Sequence, residues 1–401
     1  MTLTACPSIS PSAGDIRPLR QEQWPRFTRD GSDELESCLA RTCDHVRNGV
    51  QRIIPGALLE AIMLGGGYGR GEGGVLTTAY GDRPYNDLEF YVCVRGNRFF
   101  SDWRYARALH QLARRLSPLA GVEIEFKIIS IAHLRRSPVT MFYYDLAMGH
   151  RWLLGDETLL RGCEHHCIAS DIPLSEATRL LMNRCSGLLF ARQRLESPQF
   201  TLEDADFVGR NLAKAQLAFG DAVLAAVGQY DWSCLERRQR LQQLTAPLPW
   251  LAEIHRHHTA GVRFKLHPRR TCDAAAVLRL RCEELCGLGL FVWLWLESRR
   301  LGVLFQSARN YGMSPVDKCP ETKPWRNLLV NVKAFGRPAV FAKKSTRCPR
   351  ETLLNTLPLL LWEPWRRDPQ LTHHLQQELQ ARRSAPQDLT GAYRRFWARF
   401  N

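Results

Sequence analysis

Apolar and polar residues alternate in a few short stretches of the chain and recur at three- and four-residue spacing in most of the rest. In YNDLEFYVCV (85–94), Leu88, Phe90 and Val92 fall on one side and Asp87 and Glu89 on the other, which predicts a strand. GVEIEFKIIS (121–130) alternates in the same way: Val122, Ile124, Phe126 and Ile128 on one face, Glu123, Glu125 and Lys127 on the other. ALLEAIMLGGG (57–67) reads as a strand running into a glycine turn. Helical spacing covers 33–52 and WRYARALHQLARRLSPLAG (103–121), the second closed by Pro and Gly. Residues of about 55–165 therefore predict a small unit of strand, strand, helix and strand.

Beyond Pro173 the strand signals fade. Apolar stripes over 175–195, 203–228 and 271–301 predict long helices of a bundle. A connector rich in Pro and Lys (313–325) follows, then short mixed segments and a helical tail, LTGAYRRFWARF. The fold class expected is α+β, a small mixed-sheet domain followed by a mostly helical region. The pattern divides into a poorly ordered segment over 1–34, a sheet domain over 35–170, a helical bundle over 171–306 and a basic region over 307–401.

Composition refines this only in part. Hydrophobic residues make up 45% and charged residues 24% of 401, which is ordinary for a globular chain. The net charge is +15, and 301–401 carries 17 Lys and Arg against 7 Asp and Glu, a surplus of 10. Such a surface suits a phosphate-rich partner, nucleic acid included, although a solvated basic surface explains it as simply. The 13 cysteines form no CxxC pair, and the first twenty residues lack the apolar core of a signal peptide, so a cytoplasmic location with reduced thiols is expected. LGLFVWLWL (288–296) is too short to span a bilayer and reads as a buried helix, with no membrane partner.

The chemistry concentrates in LGGGYGRGEGGVLTTAYGDRPYNDLEFYV (64–92). Gly69-x-Gly71-x-x-Gly74 fits a dinucleotide fingerprint in letters alone. That fingerprint needs a helix directly after the glycines, and VLTTAYGDRPYND cannot supply one. A kinase loop needs downstream HRD and DFG elements that the chain lacks. A third frame fits better: a strand into Gly66-Gly67, then Asp87-Leu88-Glu89-Phe90 on the next strand. Carboxylates at i and i+2 project from one face of a strand and suit hard divalent cations.

This frame resembles the nucleotidyltransferase superfamily typified by DNA polymerase beta, whose signature is an apolar residue, Gly, then Gly or Ser, and downstream an Asp-apolar-Asp/Glu-apolar strand. Tyr68-x-Arg70-Gly71-Glu72 looks like a run common in its small bacterial members, with Gly67 at the usual Ser position. The segment TTAYGDRPY lengthens the usual gap and reads as an inserted hairpin loop. The resemblance implies Asp87, Glu89 and Glu125 as metal ligands and catalytic carboxylates, with Glu123 the other candidate for the third position. It implies Gly66, Gly67, Tyr68 and Arg70 at the nucleotide, and Mg²⁺ as a two-metal cofactor with an NTP as substrate. RNLAKAQLAFGDAVL (210–224) resembles the helical domain of aminoglycoside-type members, which brings Lys214, with Arg210, toward the phosphates.

The implied activity is metal-dependent transfer of a nucleoside monophosphate from an NTP to an unread acceptor (small molecule, protein or RNA) with release of pyrophosphate. A non-catalytic nucleotide- or RNA-binding protein on the same fold is the alternative. Other clusters carry blander readings: CEHHC (163–167) as a polar loop, HRHH (255–258) as surface, Cys282 with Cys286 and most tryptophans as core.

Overall fold

The computed structural model describes residues 25–336, 345–381 and 384–401. The chain divides into two compact units. The first comprises residues up to Pro173 together with Val227–Thr245 and Val262–Arg269; the second comprises Leu174–Ala226, Ala246–Gly261 and Arg270–Asn401. Two stretches of the expected helical bundle thus belong to the sheet-bearing unit. No helix among the described residues is long and apolar enough to cross a membrane.

The elements of the chain up to Pro173 are α1 (Asp33–Ile53), β1 (Leu59–Leu64), the one-turn α2 (Gly66–Gly69), β2 (Val75–Thr78), β3 (Gly81–Pro84), β4 (Leu88–Val94), α3 (Arg98–Ala120), β5 (Ile124–Ile129), α4 (Ile131–Leu134), α5 (Met141–Met148) and β6 (Arg151–Leu154). The expected poorly ordered segment lies outside the described residues up to 24. From 25 onward it is anchored: the Glu36 carboxylate accepts from the backbone N–H of Phe27 and of Thr28 at 2.7 and 2.9 Å. Ser32 caps α1, and Asp33, Glu34 and Glu36 complement the positive end of the helix dipole. Asn97 caps α3, and Gly121 ends it in the left-handed region at φ +74°, which a side chain rarely tolerates.

Four strands form the main sheet in the order β5-β4-β1-β6. The β4–β5 pair is parallel, and β1 pairs antiparallel with β4 and with β6. The alternation seen in the sequence sorts side chains to two cores. Leu88, Phe90, Val92, Ile124 and Ile128 pack with Leu39, Val46, Leu109 and Leu112 of α1 and α3. Tyr91, Cys93 and Ile129 pack on the opposite face with Ile131, Leu134 and Leu146. Burial of each such side chain contributes roughly 1.5–3 kcal/mol. The polar stretch between the glycines and β4 is a separate two-stranded hairpin, β2–β3, in the place where an inserted loop was expected. Its Asp82 accepts from the Ser32 N–H at 2.9 Å, which ties the hairpin to the start of α1.

The remaining helices are α6 (Leu174–Leu195), α7 (Leu202–Ala226), α8 (Cys234–Gln243), α9 (Leu251–Leu266), α10 (Ala275–Leu301), α11 (Ala308–Met313), α12 (Pro324–Phe335), α13 (Arg350–Trp362), α14 (Pro369–Glu378) and α15 (Pro386–Phe400). The second unit is built from these, apart from α8 and the last turns of α9. Trp293 is fully buried, with edge contacts to Tyr311 and Trp362 at 5.8 and 5.7 Å. This is core packing; Trp325, in contrast, is exposed. Cys282 and Cys286 are buried as expected.

Candidate metal centre on the central strands

Parallel pairing sets Glu89 of β4 directly beside Glu125 of β5. Asp87 stands two residues before Glu89, at the mouth of β4, and so leans to the same side of the sheet. One carboxylate oxygen from each of Asp87, Glu89 and Glu125 lies within 4.8 Å of the others. Asp87 is exposed, and Glu89 and Glu125 are half-buried. Glu123 lies outside this group: it is exposed just before β5, where its carbonyl accepts from the Leu88 N–H at 2.9 Å.

The acids share one cation of the chain itself. Lys127, two residues after Glu125 on the same face, places Nζ 2.6 Å from Glu89 Oε1 and 3.5 Å from Glu125 Oε2. The Tyr91 hydroxyl donates to Glu89 Oε2 at 3.3 Å, and the ammonium sits 5.7 Å from the Tyr91 ring centre. Loss of hydration where the carboxyl meets the sheet, with repulsion from Glu89 and Glu125, raises the Asp87 carboxyl above its usual range. Burial alone would lower Lys127, but the hydrogen bond and charge of Glu89, then Glu125, outweigh it and raise it. The sequence pattern placed Lys127 on the acid face. What it did not convey was a role for it; the i, i+2 spacing to Glu125 was the available signal.

The glycine turn adjoins this cluster. Gly65 N–H donates to the Glu89 carbonyl at 2.9 Å. Gly66 has φ +63°, and a Cβ there would lie 3.3 Å from Glu89 Oε2. A Cβ on Gly67 would stand 2.8 Å from the Glu72 carbonyl oxygen, so the turn closes tightly on itself.

Two residues expected at a nucleotide, Tyr68 and Arg70, are buried. Tyr68 is 1% exposed. Its hydroxyl donates to the Gly74 carbonyl at 2.8 Å and accepts from the Tyr85 N–H at 2.9 Å. The Tyr68 ring also explains a later glycine, since a Cβ on Gly73 would fall 2.0 Å from it. Arg70 is 7% exposed and faces Asp145 at 3.5 Å and Glu72 at 3.9 Å. Glu72 accepts from Ser233 Oγ at 2.5 Å and from the Cys234 N–H at 2.9 Å. Tyr68 and Arg70 are therefore both buried and engaged with groups of the glycine loop and its surroundings. Lys214 lies exposed on α7, in the second unit, and Arg210 pairs with Asp206 at 3.3 Å.

The two histidine clusters also gain definite places. His165 and His166 each set Nε2 near a backbone carbonyl, that of Ser137 at 3.1 Å and that of Leu134 at 3.0 Å. CEHHC is thus packed against its own unit, with His166 fully buried. HRHH was expected at the surface, but His257 and His258 are buried on α9, His258 against Asp221 at 3.0 Å.

Three carboxylates converging beside a tight glycine turn can hold a hard divalent cation through oxygen ligands. Comparisons with protein-family models, curated proteins and solved structures found no match for the chain.

Proposed function

We propose that the chain is a metal-dependent nucleotidyltransferase, moving a nucleoside monophosphate from an NTP to an acceptor hydroxyl with release of pyrophosphate. The observation that carries this reading is the convergence of Asp87, Glu89 and Glu125 within 4.8 Å, next to the Gly65–Gly67 turn. The donor set fits Mg²⁺: all three ligands are carboxylate oxygens, and they already draw in an ammonium. Mg²⁺ held there would neutralise triphosphate charge and stabilise the attacking and leaving oxygens of an in-line displacement. Asp87 and Glu89 would hold the cation. Glu125, the partner across the strand pair, would complete the ligand set and take the proton of the attacking hydroxyl. The backbone of Gly66 and Gly67 forms the phosphate-side wall, where the absence of side chains lets a ligand approach the acids.

Asp87→Asn keeps the shape and removes a charge. Mg²⁺-dependent transfer of label from an NTP to protein, RNA or small molecules is expected to fall at least 100-fold, about 2.7 kcal/mol of transition-state stabilisation. Undiminished transfer by that variant would rule out the assignment. A second reading, non-catalytic nucleotide or RNA binding, draws on Lys127, whose ammonium neutralises part of the acid cluster without any metal. Nucleotide binding with no label transfer by the unmodified chain would favour it.

A further inference from the structure

A second group of ligand-type side chains lies within the helical unit. Glu253 and His257 are four residues apart on α9 and so share a face. Glu284 of α10 meets them, and one ligand atom from each of the three lies within 4.8 Å of the others. His257 Nε2 is 3.4 Å from Glu284 Oε1 and 3.8 Å from Glu253 Oε1. Donors about 2.1 Å from a tetrahedral zinc ion stand roughly 3.4 Å apart, so only small side-chain adjustments separate this arrangement from coordination.

A third helix supports the imidazole. His257 is 5% exposed, and its Nδ1 lies 3.1 Å from the amide nitrogen, Nε2, of Gln216 on α7. An imidazole that binds metal through Nε2 carries its proton on Nδ1 and needs an acceptor there. A half-turn of the Gln216 amide, which exchanges its nitrogen for its oxygen, supplies that acceptor and fixes the ring. The donors attract a cation at present: Arg256 Nη2 is 2.7 Å from Glu284 Oε1, 3.8 Å from Glu253 Oε1 and 3.4 Å from His257 Nε2. Arg256 is 66% exposed, and an ion pair so open to water contributes little, so its side chain can swing out when a metal competes.

We propose that Glu253, His257 and Glu284 form a zinc-type divalent metal site that clamps α9 to α10 and keeps one coordination position open. The nitrogen donor distinguishes it from the all-oxygen cluster on the sheet and selects zinc over magnesium. This site is independent of the nucleotidyltransferase reading.

The test is calorimetric titration of the chelator-treated full chain with Zn²⁺ in the presence of millimolar Mg²⁺. One high-affinity ion per chain is expected, unchanged in Asp87→Asn. Glu284→Gln should weaken it at least tenfold, His257→Gln more, and Arg256→Ala should tighten it. Co²⁺ in place of Zn²⁺ should give visible absorption of a tetrahedral ion in the unmodified chain and lose it in Glu284→Gln. Glu284 is 41% exposed, so its variant keeps the fold and decides the matter if His257→Gln does not fold. Equal zinc binding by Glu284→Gln and the unmodified chain, or no zinc binding by the unmodified chain, overturns the proposal.

Discussion

At the scale of single residues, Lys127 sets the character of the acid cluster. Its ammonium is 2.6 Å from Glu89 and 3.5 Å from Glu125, so it competes for the oxygens a divalent cation would take. These side chains are 28–41% exposed, which screens the attraction well below the roughly 4 kcal/mol of a close pair near a protein surface. Lys127→Met is therefore expected to tighten Mn²⁺ binding at this cluster several-fold, read by the loss of free Mn²⁺ signal in electron paramagnetic resonance. Weaker binding in the variant would show instead that Lys127 holds the acids in place for the metal. The three carboxylates themselves were legible, because strand alternation fixes which side chains share a face. The burial of Tyr68 and Arg70 was not legible for a physical reason: exposure depends on partners brought in from elsewhere. The hydroxyl of Tyr68 is closed off by Gly74 and Tyr85, and the guanidinium of Arg70 by Asp145.

At the scale of elements, the long helices and the strands β1, β4 and β5 were readable from period and caps. The β2–β3 hairpin was read as an inserted hairpin loop, whereas the short β6 was not read at all, since the four residues RWLL give too little alternation to register. The chain entering β6 holds His150, buried between α5 and the sheet. Its Nδ1 faces the Leu146 carbonyl at 2.8 Å, and its ring meets Trp152 edge-on. Burial pushes its pKa from 6.5 down to about 4. Above pH 6.5 the ring is neutral in both folded and unfolded chains, and its contribution to stability is complete. As pH falls from 6.5 to about 4 the unfolded chain takes up a proton that the folded chain refuses, so stability declines by about 3 kcal/mol in total. Denaturant midpoints measured from pH 7 to pH 4 should show this slope in the unmodified chain and a shallower one in His150→Gln. Equal slopes would mean that the buried ring titrates normally.

At the scale of the whole molecule, the boundary near Pro173 conceals a return of the chain. Pattern alone assigns 171–306 to one helical region, because nothing in the local periodicity of α8 distinguishes it from its neighbours. The structure uses 227–245 and 262–269 to complete the first unit. The reason is electrostatic as well as apolar. Glu72 sits 5% exposed, and its charge is met by Ser233 Oγ and the Cys234 N–H at the start of α8. Burial alone would raise the Glu72 carboxyl; Arg70, Lys265 and these hydrogen bonds outweigh it and lower it. A chain ended after Pro173 keeps the sheet, the glycine turn, all three site carboxylates and Arg70, yet removes the Ser233, Cys234 and Lys265 partners of Glu72. Hydrogen bonds to a charged group contribute about 1.5–3 kcal/mol each, so losing the two from Ser233 and Cys234 takes a large share of the roughly 5–15 kcal/mol stability of an ordinary domain. The fragment of residues 1–173 is therefore expected to lack a cooperative thermal transition by near-ultraviolet circular dichroism. In the full chain, Glu72→Ala together with Ser233→Ala should cost less than the sum of the two single changes, since they remove one shared interaction. A fragment that melts as sharply as the full chain, or strict additivity of the two changes, would mean that the sheet-bearing unit stands without the returning segment.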